Sequence, residues 1–249
     1  MKKISLAGMK SKVLALLLAA LVVPSLAFAE TDLCSRFLNQ KLYGKAIAEC
    51  TRQINEAKNI GHAKILYNAR GKAYYFKGQD EQAIADFNKA IALDPKYAVA
   101  YFDRGNAYVA LRQRDKAIAD FTKAIALDPG YAGAYLYRGS NYGANGQTGL
   151  AIADFNKAIE LDPKSADAYY SRGIAYRVEE RLDRAIADFT RAIELDPEFV
   201  MAWANRGSAY EAEGRYKQAV ADCKKARKLA PGQYIGECDF PRDVLKMGQ

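Results

Sequence analysis

Histidine is almost missing from this chain, since His62 is the only one among 249 residues. Without paired-His or Cys-His spacing the sequence offers no metal-ligand set, and a lone histidine between helices is most simply a polar turn residue. The sequence also shows no Ser–His–Asp combination of the kind used in nucleophilic catalysis. We therefore predict that the chain has no catalytic residues, no metal site and no cofactor.

A phosphate-binding loop is not indicated either. The run from Gly143 to Gly149 (GANGQTG) is rich in glycine. It lacks the Gly-Lys-Ser/Thr ending of such loops and follows no predicted strand. Enzymes and binding proteins that depend on this loop are therefore excluded.

The net charge of +8 gives little support for nucleic-acid binding. Four lysines lie in the first 29 residues, which contain no acidic residue, so removal of that segment leaves a net charge of 8 − 4 = +4. Half of the apparent basicity thus belongs to a targeting segment, and we predict no nucleic-acid partner.

Met1 to Ala29 has the features of a secretory signal. A lysine-rich start is followed by the apolar run Val13–Val23 and by the small-x-small sequence Ala27-Phe28-Ala29. Cleavage after Ala29 would leave 249 − 29 = 220 residues. The alternative, an uncleaved membrane anchor, is disfavoured because the apolar run is short and Pro24 interrupts it. We predict a periplasmic or secreted protein.

The rest of the chain is dominated by a 34-residue repeat. Arg-Gly recurs with this period, and so does Ala-Ile-Ala-Asp-Phe, which becomes Ala-Val-Ala-Asp-Cys in the last copy. A fixed period of this length indicates stacked supersecondary units. The Arg-Gly pairs start at Arg70, Arg104, Arg138, Arg172 and Arg206, and the closing prolines are Pro95, Pro129, Pro163, Pro197 and Pro231.

Each unit is predicted to be a helical hairpin. Tyr101, Gly105 and Tyr108 share one face of a first helix, while Ala117 and Phe121 share one face of a second. Small residues at the interface allow close approach, and the aromatic side chains fill the remaining space. A single hairpin leaves one face wet, so each unit depends on its neighbours.

This pattern resembles the tetratricopeptide repeat (TPR) family. The residues that carry the resemblance in one unit are Tyr101, Gly105, Tyr108, Ala117, Phe121, Ala124 and Pro129, and Arg104 stands where the family pattern has leucine. The resemblance implies an all-α, right-handed superhelical solenoid of about six hairpins plus a C-terminal cap. It also implies a concave groove that binds peptides or proteins, and no chemistry. The carboxylate clamp of chaperone-binding relatives is not present at matching positions.

The predicted organisation follows the repeat. The segments are a signal peptide (1–29), a degenerate TPR-like hairpin (30–63), five repeats (64–97, 98–131, 132–165, 166–199 and 200–233) and a C-terminal cap (234–249).

The four cysteines suggest a cross-link at each end. In the repeat register Cys34 and Cys50 take facing positions of the first hairpin, and the predicted signal implies an oxidising compartment. Cys223 takes the position of Phe121, and Cys238 follows in the cap. We predict disulfides Cys34–Cys50 and Cys223–Cys238; free buried thiols are the alternative for the first pair.

The repeated Arg–Asp combination predicts a ladder of ion pairs. Each arginine of the Arg-Gly pair is expected to reach an aspartate on a second helix of its own or the preceding unit. The alternative is a local Asp–Lys pair such as Asp120–Lys123. Both pairings can hold together.

The groove is predicted on the face of each first helix that avoids the hairpin interface. Large apolar groups beside Asn and Arg suit an extended peptide, whose backbone needs hydrogen-bond partners; the alternative is burial of some of them between adjacent first helices. By spacing, this face carries Asn68, Lys72, Tyr75 and Phe76; Phe102, Asn106 and Val109; Leu136, Ser140 and Gly143; Tyr170, Ile174, Arg177 and Val178; and Met201, Ser208 and Glu211.

The function predicted from these features is a non-enzymatic scaffold that binds a protein or peptide in the cell envelope. An accessory subunit of an envelope-processing enzyme complex and a self-associating spacer are the alternatives. The basic second helix of the last unit, with Lys217, Lys224, Lys225, Arg227 and Lys228, is interpreted as a solvated helix end. Contact with an anionic membrane surface is its less favoured alternative.

Overall fold

The computed structural model describes residues 33–56, 60–232 and 236–238. The predicted signal peptide lies outside these residues, as does most of the predicted cap. The described chain contains helices and no strand, which confirms the all-α repeat fold. None of the described helices is both long and apolar enough to cross a membrane.

The helices follow one another in pairs. They are α1 (33–39), α2 (Tyr43–Glu56), α3 (Ile60–Phe76), α4 (Asp80–Leu93), α5 (Ala98–Ala110), α6 (Arg114–Leu127), α7 (Ala132–Ala144), α8 (Thr148–Leu161), α9 (Ala166–Val178), α10 (Leu182–Leu195), α11 (Val200–Ala212) and α12 (Tyr216–Leu229), followed by a 3₁₀ turn, Gly236–Cys238.

The turn inside each hairpin depends on one left-handed residue. Gly78, Gly146 and Gly214 have φ of 70°, 76° and 74°, a conformation that glycine adopts without a steric penalty. Arg112 and Glu180 occupy the same repeat position at φ 58°. The turn is therefore set by the repeat geometry and by the hydrogen bonds that close the first helix, even where glycine is missing.

The turn between hairpins is closed by an aspartate next to the proline. The backbone N–H of Lys96 donates to Oδ1 of Asp94 at 2.9 Å, and the N–H of Gly130 donates to Oδ1 of Asp128 at 3.0 Å. Proline cannot continue the helix, and the aspartate supplies the acceptor that stabilises the tight turn after it. Asp162 and Asp196 accept in the same way.

Two compact units make up the chain, with the division between Gln113 and Arg114. In the first unit α2 packs on α3, α3 on α4 and α4 on α5, and α3 also contacts α5. In the second unit each helix from α6 to α12 packs on the next. There α7 also contacts α9 and α9 contacts α11, so first helices lie side by side.

The hairpin interface is as close as the small residues suggested. A Cβ built on Gly173 would lie 2.7 Å from the ring of Phe189, and one on Gly71 would lie 2.6 Å from the ring of Phe87. Both phenylalanines are fully buried. Glycine is required at this position because the facing aromatic ring occupies the space of any side chain.

The predicted ion-pair ladder is present in the repeats that contain Arg70, Arg138, Arg172 and Arg206. Arg138 donates through Nε and Nη2 to both carboxylate oxygens of Asp154 at 2.8 Å, and its Nη1 donates to Oγ1 of Thr122 at 3.1 Å. The arginine thus joins the second helix of its own repeat to that of the preceding repeat. Bidentate pairs of the same kind join Arg70 to Asp86, Arg172 to Asp188 and Arg206 to Asp222.

Both predicted disulfides are confirmed. Cys34 and Cys50 are bonded with Cα atoms 5.4 Å apart, and Cys223 and Cys238 with Cα atoms 5.3 Å apart. All four cysteines are buried. The two bonds indicate an oxidising environment, because such bonds do not persist among reduced cytosolic thiols.

One local prediction is wrong. His62 was expected in a turn between hairpins, yet α3 begins at Ile60 and includes it. No proline precedes α3, so nothing stops the helix from extending backward by a turn. The boundary predicted between Ala63 and Lys64 consequently falls inside this helix.

Candidate functional site

The second unit presents three first helices in a row, and their shared outer surface is called the α7–α9–α11 face. Here Val178 is 66% exposed, Tyr137 is 45% exposed and Met201 is 38% exposed. Large apolar side chains that remain in water on neighbouring helices indicate a contact surface. Its other members are Leu136, Ser140, Tyr170, Ile174, Arg177, Asn205 and Ser208.

Part of this face is held rigid by the core beneath it. Tyr170 lies with its ring centroid 4.8 Å from that of Phe199 and 5.9 Å from that of Phe189. Ile174 packs on the same core as Phe189, and Leu136 packs on the neighbouring one. These three side chains are half-buried, so the floor of the face is apolar and preorganised.

A buried amide lies between α9 and α11. Asn205 is 1% exposed, and its Nδ2 donates to the carbonyl of Met201 at 2.9 Å and to the hydroxyl of Tyr170 at 3.3 Å. Its Oδ1 has no hydrogen-bond partner among the described residues. An acceptor left without a donor in a buried position costs stability, so packing does not explain this amide.

The first unit has a second, more polar surface on α3 and α5, called the α3–α5 face. Nδ2 of Asn68 donates to Oδ2 of Asp103 at 2.8 Å, and both residues are buried. Oδ1 of Asn68 has no partner among the described residues. Its remaining members are Lys72, Tyr75, Phe76, Phe102, Asn106 and Val109.

Burial raises the pKa of Asp103, since the charged form loses hydration in this position. Lys72 and the hydrogen bond from Asn68 act in the opposite direction. The α3–α5 face thus contains an incompletely compensated carboxyl group beside a lysine.

The predicted groove residues divide by exposure. Asn68 is buried in contact with Asp103, as the alternative interpretation held for some members of the set. The residues that remain exposed are Phe76, Val109, Ser140, Gly143, Val178 and Met201, and those that are half-buried are Lys72, Tyr75, Phe102, Asn106, Leu136, Tyr170, Ile174, Arg177, Ser208 and Glu211. Phe76 stacks on Tyr43 at 5.3 Å between ring centroids.

Sequence spacing missed the residues one step around the helix. Asp103, Tyr137 and Asn205 share a repeat position that sequence spacing placed neither in the groove nor in the hairpin interface. Pairs of first helices meet there, as Asn68 with Asp103 and Tyr170 with Asn205 show, each pair 35 residues apart. The sequence signal that could have indicated this contact is a change of chemistry at the shared repeat position, where Asp103 is a carboxylate and its counterparts are not.

Both faces carry side chains of the kinds used in molecular recognition. Among the described residues no group of three or more His, Cys, Asp or Glu side chains is placed to hold a metal ion. The faces offer apolar contacts, amide acceptors and single charges, which are elements used to bind an extended chain.

Comparison with known proteins identifies the family. A family profile described as TPR repeat matches residues 71–112 and 139–177. Two profiles described as tetratricopeptide repeat match residues 170–234 and 98–131. No curated protein matches the chain.

Solved structures agree with those profiles. The crystal structure of MamA is 31% identical over 64% of this chain and 93% of its own, with a TM-score of 0.59. YrrB, described as a TPR protein with an unusual peptide-binding site, is 26% identical over 74% of this chain and 93% of its own, also with a TM-score of 0.59. A tetratricopeptide repeat protein from Parabacteroides merdae ATCC 43184 shares the fold at 19% identity, over 82% of this chain and 80% of its own, with a TM-score of 0.68. The chain therefore belongs to the tetratricopeptide repeat family.

Proposed function

We propose that the protein is a non-enzymatic scaffold that binds a peptide or protein segment along the α7–α9–α11 face. The observation that carries the proposal is that each of three neighbouring first helices leaves a large apolar side chain exposed: Tyr137, Val178 and Met201. Membership of the TPR family and the similarity to YrrB support a binding role. The disulfides support an oxidising location such as the cell envelope.

An extended segment fits this face better than a folded surface. The same three helices also carry polar side chains, among them Ser140, Arg177 and Ser208. An extended chain presents apolar side chains and unpaired backbone groups together, and the face can satisfy both. The preorganised floor of Leu136, Tyr170 and Ile174 lowers the entropy lost on binding.

The test is site-specific photo-cross-linking in an envelope extract. A benzophenone amino acid replaces Ser140 on the face, and in a matched control it replaces Ala153, which is exposed on α8. We expect a discrete cross-linked partner from position 140 alone, identified by mass spectrometry. The same products from both positions, or none from position 140, would refute the proposed site.

The identity of the product separates the alternatives. Cross-linking of the chain to itself supports a self-associating spacer. Capture of a single envelope enzyme from position 140, with activity that changes when the scaffold is removed, supports an accessory subunit.

A further inference from the structure

The last described helix carries charge of one sign. Between Gly214 and Gly232 the chain has six basic residues and one acidic residue. The acidic one, Asp222, is buried and paired with Arg206. On α12 this leaves Lys217, Lys224, Lys225, Arg227 and Lys228, of which only Lys225 is half-buried and the others are exposed.

On α10, one repeat earlier, the equivalent face contacts the following repeat. Thr190 accepts a hydrogen bond from Arg206 of the next repeat, and Ile193 packs against Ala202 of that repeat. The same repeat positions on α12 are Lys224 and Arg227. The face that elsewhere receives the next hairpin has become cationic.

The acidic residues at the end of the helix change in the same way. Glu194 of α10 pairs with Arg191 at 2.9 Å, and Asp196 closes the following turn. Their counterparts on α12 are Lys228 and Ala230. The end of α12 therefore has no carboxylate of its own to neutralise its cations.

These cations have few partners. No described carboxylate lies within 4.0 Å of the five side chains that α12 contributes. Arg227 donates to the carbonyl of Cys238 at 2.6 Å, and Lys225 lies 5.9 Å from the ring of Trp203. Among the described residues, no carboxylate neutralises the charge of these side chains.

We propose that this basic face of α12, formed by Lys217, Lys224, Arg227 and Lys228, docks on the surface of an anionic phospholipid bilayer. From Lys217 to Lys228 the stripe runs about 16 Å along a straight helix, and it presents a row of charges with no large apolar group among them. Such a surface matches a layer of headgroups, to which polybasic helices are attracted without insertion.

The choice of residues distinguishes this partner from an acidic protein. Three of the four positions are lysine, a mobile point charge that suits a diffuse negative layer. Recognition of discrete carboxylates favours the bidentate fork of arginine, which this protein uses for Asp154 and Asp188. A helix surface that only has to keep the protein soluble can carry charges of both signs, as α10 does.

The experiment measures binding to phosphatidylcholine vesicles with and without phosphatidylglycerol by flotation at low salt. The protein is purified after export, and its N-terminus is read by mass spectrometry so that all variants begin at the same residue. The test variant is Lys224→Gln with Lys228→Gln. The matched control is Lys123→Gln with Lys164→Gln, two exposed lysines outside α12 that change the net charge equally.

We expect the wild-type protein and the control to bind vesicles with phosphatidylglycerol and to release them as salt is raised. The test variant should bind about 30-fold more weakly, since two of the basic residues nearest the headgroups are lost. Absence of wild-type binding, or equal loss in both variants, would overturn the proposal. So would binding to a poly-glutamate peptide in preference to the vesicles. Cross-linking from position 140 is independent of this result.

Discussion

At the scale of single residues, each arginine of the Arg-Gly pair does two things at once. Arg138 satisfies the buried carboxylate of Asp154 and reaches Thr122 on the preceding second helix. Its guanidinium also lies 5.7 Å from the rings of both Tyr135 and Tyr142. The hydrogen bonds to Asp154 raise the pKa of Arg138, so the guanidinium stays charged over the whole accessible pH range.

We expect Arg138→Met to lower the free energy of unfolding by about 3 kcal/mol or more, because Asp154 is left buried without its partner. The double variant Arg138→Met with Asp154→Leu should recover much of this loss, since the uncompensated charge is gone. Urea denaturation of the three proteins measures the difference. An unchanged midpoint in the single variant would show that local helix-surface pairs carry the stability instead.

Asp103 is a buried residue whose ionisation opposes folding. Its folded-state pKa lies above the unfolded value, so the protonated form contributes stability that is complete below the unfolded pKa, near 3.9. That contribution is lost as the pH rises through the folded pKa. At neutral pH the buried carboxylate is therefore a cost.

Asp103→Asn should stabilise the protein at pH 7 by about 1 kcal/mol. An amide at position 103 carries no charge and brings an N–H donor to the unpartnered Oδ1 of Asn68. The advantage should shrink as the pH is lowered through the raised folded-state pKa of Asp103, because the wild-type carboxyl then becomes protonated. Thermal unfolding at several pH values tests this, and a variant that is less stable than wild type throughout would contradict the account.

At the scale of helices and hairpins, glycine has two opposite roles in one repeat array. Gly173 admits the ring of Phe189, so it is a packing requirement. Gly149 lies in α8 with nothing within 4 Å of a Cβ built on it, so it serves no contact. The same amino acid is thus needed in one helix and replaceable in another.

Gly173→Ala should destabilise the protein by about 1–3 kcal/mol, because the fully buried Phe189 has no free space into which to move. Gly149→Ala should stabilise it by about 0.5–1 kcal/mol, because alanine reduces the freedom of the unfolded chain and favours the helix. Chemical denaturation of both variants gives the comparison. Equal effects of the two substitutions would show that helix propensity, and not the close approach, decides.

Helix pairing could be predicted because the same small and aromatic residues recur at the hairpin interface with a period of 34 residues. The start of α3 could not, because no proline marks it and the adjoining residues are compatible with a helix. On the candidate site, spacing selected Phe76, Val109 and Met201 correctly as exposed. It could not show that Asn68 is covered by a residue 35 positions later, since that contact depends on how neighbouring first helices approach one another.

At the scale of the whole molecule, the two disulfides lie at the two ends of the described chain. Each closes a short loop, of sequence separation 16 for Cys34–Cys50 and 15 for Cys223–Cys238. Both belong to local cores, one with Leu66 and one with Val220. Among the described residues, each end repeat has a neighbouring repeat on one side only, so a covalent bond adds stability where fewer contacts between repeats are made.

Reduction should therefore loosen the ends before the middle. Loss of either bond is expected to cost about 3 kcal/mol in the chain-entropy description. In hydrogen-exchange measurements, amides of α2 and α12 should exchange faster after reduction while those of α8 and α9 keep their protection. The variants Cys34→Ser with Cys50→Ser and Cys223→Ser with Cys238→Ser separate the two ends. If the amides of α8 lost as much protection as those of α2 and α12, the disulfides would not be acting only on the ends.

The sequence by itself determined the helical hairpins, the family, the ion pairs and the two cross-links, because each is encoded by residues at fixed positions of a repeating unit. Only the tertiary structure decided which side chains of the first helices stay in water. It also placed Asp103 and Asn205 in buried positions with unmatched polar atoms. Exposure depends on the distance between helices that are 34 residues apart in the chain, and that distance is set by packing across repeats.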